Sequence, residues 1–435
     1  MTVGETGTVD ANDVRQEVRA WLEAHWDPDS SLADWRNLLA DSGWGCPTWP
    51  VEWYGRGLPP AMAAVVAEEF ERAGAIGTPE GTGMMLVAPT LLEHGSDELK
   101  ALLLRPIVTG EQTWCQLFSE PGSGSDLAGL TTRADADGEE YVVNGQKVWN
   151  TSAHHADYGM LLARTNWDAP KHRGITYFCL PMHQPGRVEA RPLRQMNGHA
   201  SFNEVFLTDA RVPAANVVGR VDDGWAVALA TLAHERRLVT VRGENASGLH
   251  AKGRAGEEFR EELDRHLEPY RWYPQRAGRV DLIVERAVAA GRNHDPVVRQ
   301  QIARLLSMQR AAQWTTARAR AARALGRPPG PEGSLAKLSA SNIAKLSADV
   351  HSLISGVSAT ITGPEGLLGG VIAEILISVP AVSIAGGTDQ VQRNIIAERI
   401  LSLPKEPQLD RDRPFREVPK NRAGLLEENH AVPRS

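Results

Sequence analysis

The chain has 435 residues, enough for two or three domains with substantial cores. Its 42% hydrophobic and 23% charged content is ordinary for a soluble globular protein, and a net charge of −7 argues against nucleic acid as a main partner, because neutralising phosphate needs a basic surface. Three widely spaced cysteines without a CxxC pair fit a reducing cytoplasm, and no run of about 18 apolar residues marks a membrane span.

The first segment, MTVGETGTVD, is polar and acidic, so no signal peptide is expected. Residues 1–112 read as a helical domain. Val14, Val18, Trp21 and Leu22 recur at helical spacing, and Ala61 to Ala75 reads likewise. The turn-rich stretch Pro47 to Gly57 connects the two, and Pro89 to His94 reads as a short helix closed by Gly95. Six of the 12 tryptophans lie between Trp21 and Trp53, which implies a well-buried first domain.

Residues 113–222 change to β character. Glu140 to Asn144, Gly174 to Leu180 and Val205 to Val212 read as strands, and Asn144-Gly145 between β-rich runs predicts a hairpin turn. From Gly224 to Leu249 the pattern is one long amphipathic helix. Pro296 to Ala324, Leu335 to Ile354 and Thr388 to Leu403 are further long helices, which predicts a bundle over 223–404. The charged, proline-broken stretch Arg254 to Arg276 reads as an excursion between helices, and the polar residues 405–435 as an extended or disordered tail.

Two stretches in the β region carry chemistry: Gln116-Leu-Phe-Ser-Glu-Pro-Gly-Ser-Gly-Ser-Asp126 and Tyr141-Val-Val-Asn-Gly-Gln-Lys-Val-Trp-Asn-Thr151. Ser119 and Thr151 offer hydroxyls to the polar edge of a flat cofactor, and Phe118 and Trp149 offer it an apolar wall. Gly122 and Gly124 let the backbone approach a ligand closely. A third stretch, Ile384-Ala-Gly-Gly-Thr-Asp-Gln-Val-Gln-Arg-Asn-Ile-Ile-Ala-Glu-Arg399, opens a helix whose free N–H groups suit a phosphate or a developing anion. The chain has no GxGxxG after a strand, no HExxH or Cys/His ligand spacing and no GxSxG, so nicotinamide on a Rossmann unit, metal and serine-hydrolase chemistry are not indicated.

Together these stretches resemble the acyl-CoA dehydrogenase family. The resemblance implies an α+β fold: an N-terminal α-helical domain, a central β-barrel or sandwich-like domain and a C-terminal four-helix bundle. It implies an FAD site at Gln116, Phe118, Ser119, Ser125, Trp149, Thr151, Thr388 and Gln390, with Ser125 and Arg236 beside an acyl-CoA substrate. Many members carry their catalytic glutamate immediately before the Gly-Thr of the third stretch. Gly386 stands there, leaving only a backbone N–H to polarise the thioester carbonyl. A second lineage carries the glutamate on the first long C-terminal helix, directly before an arginine. Here that segment reads His234-Glu235-Arg236-Arg237, so Glu235 is the candidate base and Asp389 the alternative.

The family's glutamine for the neighbouring subunit's adenosine is matched by Thr360. The implied activity is α,β-dehydrogenation of an acyl-CoA to a 2-enoyl-CoA, with electrons passed to an electron-transferring flavoprotein from a homo-oligomer, dimer or tetramer. Two other readings stay open: a same-fold oxidase or monooxygenase, and a non-catalytic subunit of a hetero-oligomer. Met84, Met85 and Leu86 are candidates for the acyl cavity wall. His154 and His155 read as a polar loop pair.

Overall fold

The computed structural model describes residues 9–238, 248–324, 332–407 and 410–418, and the chain divides into two compact units. The first takes in the described residues of 1–193, 202–268 and 410–435, and the second those of 194–201 and 269–409.

The first unit opens with five helices: α1 (Ala11–His25), α2 (Leu32–Ser42), α3 (Met62–Ala73), α4 (Ala88–His94) and α5 (Asp97–Thr109). Local chemistry sets their ends. The Asp10 carboxylate accepts from Asn12 N, the Ser31 hydroxyl accepts from Asp34 N, and Gly43 closes α2 at φ 73°. Val14, Val18 and Leu22 form the buried stripe of α1. Trp35 and Trp44 are buried and the other four early tryptophans half-buried. Trp35 spends its one polar atom on Ile76 O at 2.7 Å.

Eight strands follow: β1 (Trp114–Leu117), β2 (Arg133–Asp137), β3 (Glu140–Thr151), β4 (Tyr158–Arg164), β5 (Ile175–Pro181), β6 (Val188–Leu193), β7 (Phe202–Pro213) and β8 (Val217–Val218). They form one sheet in the order β6-β7-β3-β2-β4-β5-β8, with β1 pairing parallel to β4. The β2–β3 turn sits at Gly138, φ 65°, where Asp137 pairs with Glu140. Asn144-Gly145 is therefore not the turn; it lies inside β3 at a register shift against β7. Asn144 is tied to Asp209 by two hydrogen bonds, and a side chain at Gly145 would meet the Thr132 backbone at 2.8 Å. The pair makes a bulge because the partner strand, absent from a local reading, holds it extended.

α6 (Gly224–Leu238) begins the long helix expected over Gly224 to Leu249; residues 239–247 of that expectation lie outside the described residues. The expected excursion over Arg254 to Arg276 instead contains a 15-residue helix, α7 (Gly253–Leu267). Ala251, Ala255, Phe259 and Leu263, spaced by four, put one apolar stripe into the core of the first helices. Glu258 accepts from Leu32 N at 2.8 Å and Glu262 pairs with the buried Arg36. The dense charge on the other positions hid this stripe. The tail also departs from expectation, since Phe415 is 1% exposed.

The second unit holds α8 (Tyr273–Arg276), α9 (Ile283–Ala289), α10 (Pro296–Ala324), α11 (Glu332–Ser355), α12 (Val371–Ser378) and α13 (Asp389–Arg399). Ile283, Val298, Leu305, Val350 and Ile354 form one of its cores. The last helix is shorter than the expected Thr388 to Leu403: Thr388 is its cap, its hydroxyl accepting from Val391 N at 3.2 Å.

Phe259→Ala is expected to cost about 3–5 kcal/mol, the usual range for a truncated core phenylalanine. Chemical denaturation of the first unit measures it; a change below about 1 kcal/mol, the scale of a surface substitution, would contradict the buried stripe.

Candidate functional site

Four hydrogen bonds join the two β-region motifs into one platform. Asn150 Nδ2 donates to Gln116 O at 2.6 Å, Lys147 Nζ to Phe118 O at 3.1 Å and to Glu120 Oε1 at 2.9 Å, and Val148 N to Ser119 O at 2.9 Å. Lys147 is 0% and Glu120 7% exposed, so the ion pair is almost wholly out of water. Such a pair persists only when its remaining hydrogen-bond capacity is met. Glu120 meets it with Thr131 N at 2.7 Å, Thr131 Oγ1 at 3.0 Å and Thr132 N at 2.8 Å. Burial pushes the Glu120 carboxyl up, but the Lys147 charge and the hydrogen bonds from Thr132 and Thr131 outweigh it and hold the group at about 2. For Lys147 burial is the larger influence and its pKa is lowered.

The same clamp shapes the end of β3. Register shifts between Lys147 and Asn150, so Val148-Trp149 bulges from the ladder. Asn150 is anchored inward, and its carbonyl accepts from Asn203 Nδ2 at 2.9 Å. Trp149 is turned outward at φ 65°, 56% exposed, with its ring edge-on to Phe202 at 5.6 Å. A bulky residue in this region costs about 1–3 kcal/mol, and such strain clusters at functional positions.

Phe118 is buried and meets Tyr177 edge-to-face at 5.8 Å. Ser119 and Thr151 are half-buried, and among the described residues their hydroxyls have no hydrogen-bond partner. Ser125, Gly122 and Gly124 are exposed, and a Cβ at either glycine would meet nothing within 4 Å. Half-buried free hydroxyls, an outward aromatic face and an open Gly-Ser loop are the donor set a flavin requires, so these residues fit FAD.

Glu235 lies on α6, half-buried, four residues beyond Thr231 and therefore on the same stripe. Thr231 Oγ1 lies 3.3 Å from Tyr177 OH and 2.9 Å from Thr90 Oγ1, which ties that stripe to the platform through Tyr177 and Phe118. The preceding His234 is buried, with Nε2 3.1 Å from Glu93 Oε1. The Arg236 side chain lies outside the described residues. Gly83 to Val87 forms a π-helical turn in which Leu86 and Val87 are buried and Met84 and Met85 half-buried, packed in one cluster with Phe118 and Tyr177. Such turns recur at functional sites.

The third motif lies in the second unit. Gly386, φ 67°, and Gln390 are exposed, and Gln392 Nε2 donates to Gly386 O at 3.1 Å. Asp389 is buried and binds Lys337 at 3.0 Å, Lys345 at 2.8 Å and Ser341 at 2.8 Å. Burial pushes its carboxyl up, but those partners prevail and hold it far below the usual carboxylate range. A carboxylate so stabilised is a poor proton acceptor. Thr360 is exposed and donates to Val357 O at 2.8 Å. His154 and His155 are exposed, as a polar loop pair should be.

The sequence reading missed Lys147 and Glu120, although both stand inside the quoted motifs. Their signal was a lysine amid β residues and a glutamate in a turn, but 27 residues of separation conceal the contact.

Three domain models of one family match the chain: acyl-CoA dehydrogenase N-terminal domain over residues 8–111, middle domain over 115–210 and C-terminal domain over 280–401. Acyl-CoA dehydrogenase IpdE1 of Mycobacterium tuberculosis is 35% identical over 378 residues, covering 86% of this chain and 88% of that protein. IpdE1 of Mycolicibacterium smegmatis is 33% identical over 435 residues, covering 92% and 99%. Among solved structures, the Tcur3481-Tcur3483 steroid ACAD aligns with a TM-score of 0.62 at 26% identity, covering 93% of this chain and 100% of that one. The ChsE4-ChsE5 complex from Mycobacterium tuberculosis aligns with a TM-score of 0.58 at 26% identity, covering 93% and 100%.

The depressed Glu120 pKa sets a sign. Its stabilisation is present above the ordinary value of 4.5 and is lost as pH falls toward 2. The stability gap between wild type and Glu120→Gln in urea should therefore narrow across that window. A gap of constant size would contradict the assignment.

Proposed function

From the premise that this chain belongs to the acyl-CoA dehydrogenase family, we propose that it dehydrogenates an acyl-CoA thioester between its α and β carbons, with Glu235 as base. The observation that carries this reading is the stripe Thr231 to Glu235, which joins the one candidate carboxylate of α6 to the flavin platform through Tyr177 and Phe118.

FAD is the family's cofactor, and when bound it supplies the acceptor for the β-hydride. Ser119, Thr151 and Trp149 would hold it. Phe118 and Tyr177 exclude water from the platform, which favours electron transfer over reaction with solvent or oxygen. Glu235 removes the α-proton of the thioester. Gly386 has no side chain with which to compete for that role. Its N–H is the group that the family resemblance offers to the thioester carbonyl, and Gln392 Nε2 donates to the Gly386 carbonyl at 3.1 Å. By resemblance to the family, Thr388 and Gln390 would contact the flavin or its adenosine part, often across a subunit contact, and Ser125 and Arg236 would lie beside the acyl-CoA.

Two structural neighbours shape the rest. One structural neighbour is called a steroid ACAD and another is a two-protein complex, which supports a bulky, ring-bearing acyl group and a second chain of the same family as partner. A homo-oligomer is the other arrangement, and native mass spectrometry separates the two. An electron-transferring flavoprotein in the cytoplasm is the proposed acceptor. The described residues contain no helix long and apolar enough to cross a membrane.

Anaerobic mixing with straight-chain and ring-bearing acyl-CoA thioesters tests the reading. Wild type bleaches the flavin with at least one thioester, and Glu235→Gln slows bleaching by roughly 10²–10⁴-fold, the range for a lost general base. Unchanged bleaching in the variant would remove Glu235 from the mechanism.

A further inference from the structure

The chain continues beyond the residues matched by the C-terminal domain model, which end at 401, and residues 410–418 fold back within the first unit. Phe415 N donates to Ala169 O at 2.9 Å and Arg416 N to Trp167 O at 3.1 Å, with Pro414 bridged to Pro170. The Phe415 ring lies 3.4 Å from the guanidinium carbon of Arg164 and 5.5 Å from the Trp167 ring.

Arg164 is 0% exposed. Among the described residues it makes no ion pair with a carboxylate. Its Nη2 donates to Ala128 O at 2.7 Å and to Lys171 O at 3.2 Å, and its Nε to Leu130 O at 3.2 Å. Burial pulls its pKa down to about 10. Its side-chain hydrogen bonds all go to carbonyls, and the carboxylates of Glu120, Asp126 and Asp222 act on it only from a distance; the face of Phe415 is the surface packed directly against the buried cation. Ala128 and Leu130 end the Gly-Ser loop of the flavin motif. A second link runs through Lys171, whose ammonium binds Asp126 of that loop at 3.0 Å and Asp410 at 2.7 Å. Asp126 is 64% exposed, so this link is the weaker of the two.

We propose that residues 410–418 are a strap that positions the Pro121–Leu130 loop, with Phe415 acting through Arg164 and Asp410 acting through Lys171. Phe415 and Asp410 are positioning residues. They touch no reacting atom, and their effect passes entirely through the two cations. The proposal concerns the loop itself and holds whichever substrate the enzyme takes.

Hydrogen exchange of the FAD-loaded full chain tests it. The amides of Ser123, Gly129, Leu130, Thr131 and Thr132 are all hydrogen-bonded, the last two to Glu120, so a displaced loop registers there. Phe415→Leu keeps an apolar plug but removes the aromatic face. It should speed exchange at these amides by about tenfold, the scale of a lost buried cation–π contact, and leave α1 to α3 unchanged. Phe415→Tyr restores the face and should return wild-type exchange. Asp410→Asn should speed only the Ser123 end. Wild-type exchange in Phe415→Leu, or equal acceleration throughout the unit, would overturn the proposal.

Discussion

One buried ion pair holds the site together. Lys147 and Glu120 come from different motifs, and neither has enough water around it to survive alone. Their contact brings the loop after β1 against β3, and the lysine also takes the Phe118 carbonyl. Attraction between the charges only offsets the cost of burying them. What the pair adds is uniqueness of arrangement: with Thr131 and Thr132 saturating the carboxylate, one register satisfies every charge. The bulge that turns Trp149 outward, and the free hydroxyls of Ser119 and Thr151, follow from that register.

Around this clamp the fold distributes tasks. Apolar and hydroxyl groups from the π-helical turn, β5 and α6 surround Phe118, and α6 carries Glu235 onward from the same stripe. In the second unit, taken by itself, Asp389 is held between two lysines at the start of α13. A carboxylate that deeply paired serves architecture, whereas one that is half-buried on a helix stripe can be tuned by a ligand. This difference separates the two acids that the sequence offers as bases.

Much of this was legible in the residues. The first helix followed from the spacing of Val14, Val18, Trp21 and Leu22, the β character of the middle from its alternating runs, and the family from motifs with fixed spacing. Errors fell where a distant partner decides. Asn144-Gly145 has turn chemistry, yet Asp209 and the pairing with β2 hold it in a strand. The charge on α7 concealed a stripe that packs into the core of the first helices, where Leu32 N and Arg36 take up Glu258 and Glu262. The tail looked solvated because its one aromatic residue, Phe415, finds a buried arginine far away in sequence.

The most direct test of the clamp is a double-mutant cycle of Glu120→Gln and Lys147→Met, read as FAD affinity by flavin fluorescence. Each single change should weaken FAD binding, and the pair together should cost less than their sum by about 1–3 kcal/mol, as directly interacting residues do. Strictly additive losses, or FAD affinity untouched by either change, would contradict the account.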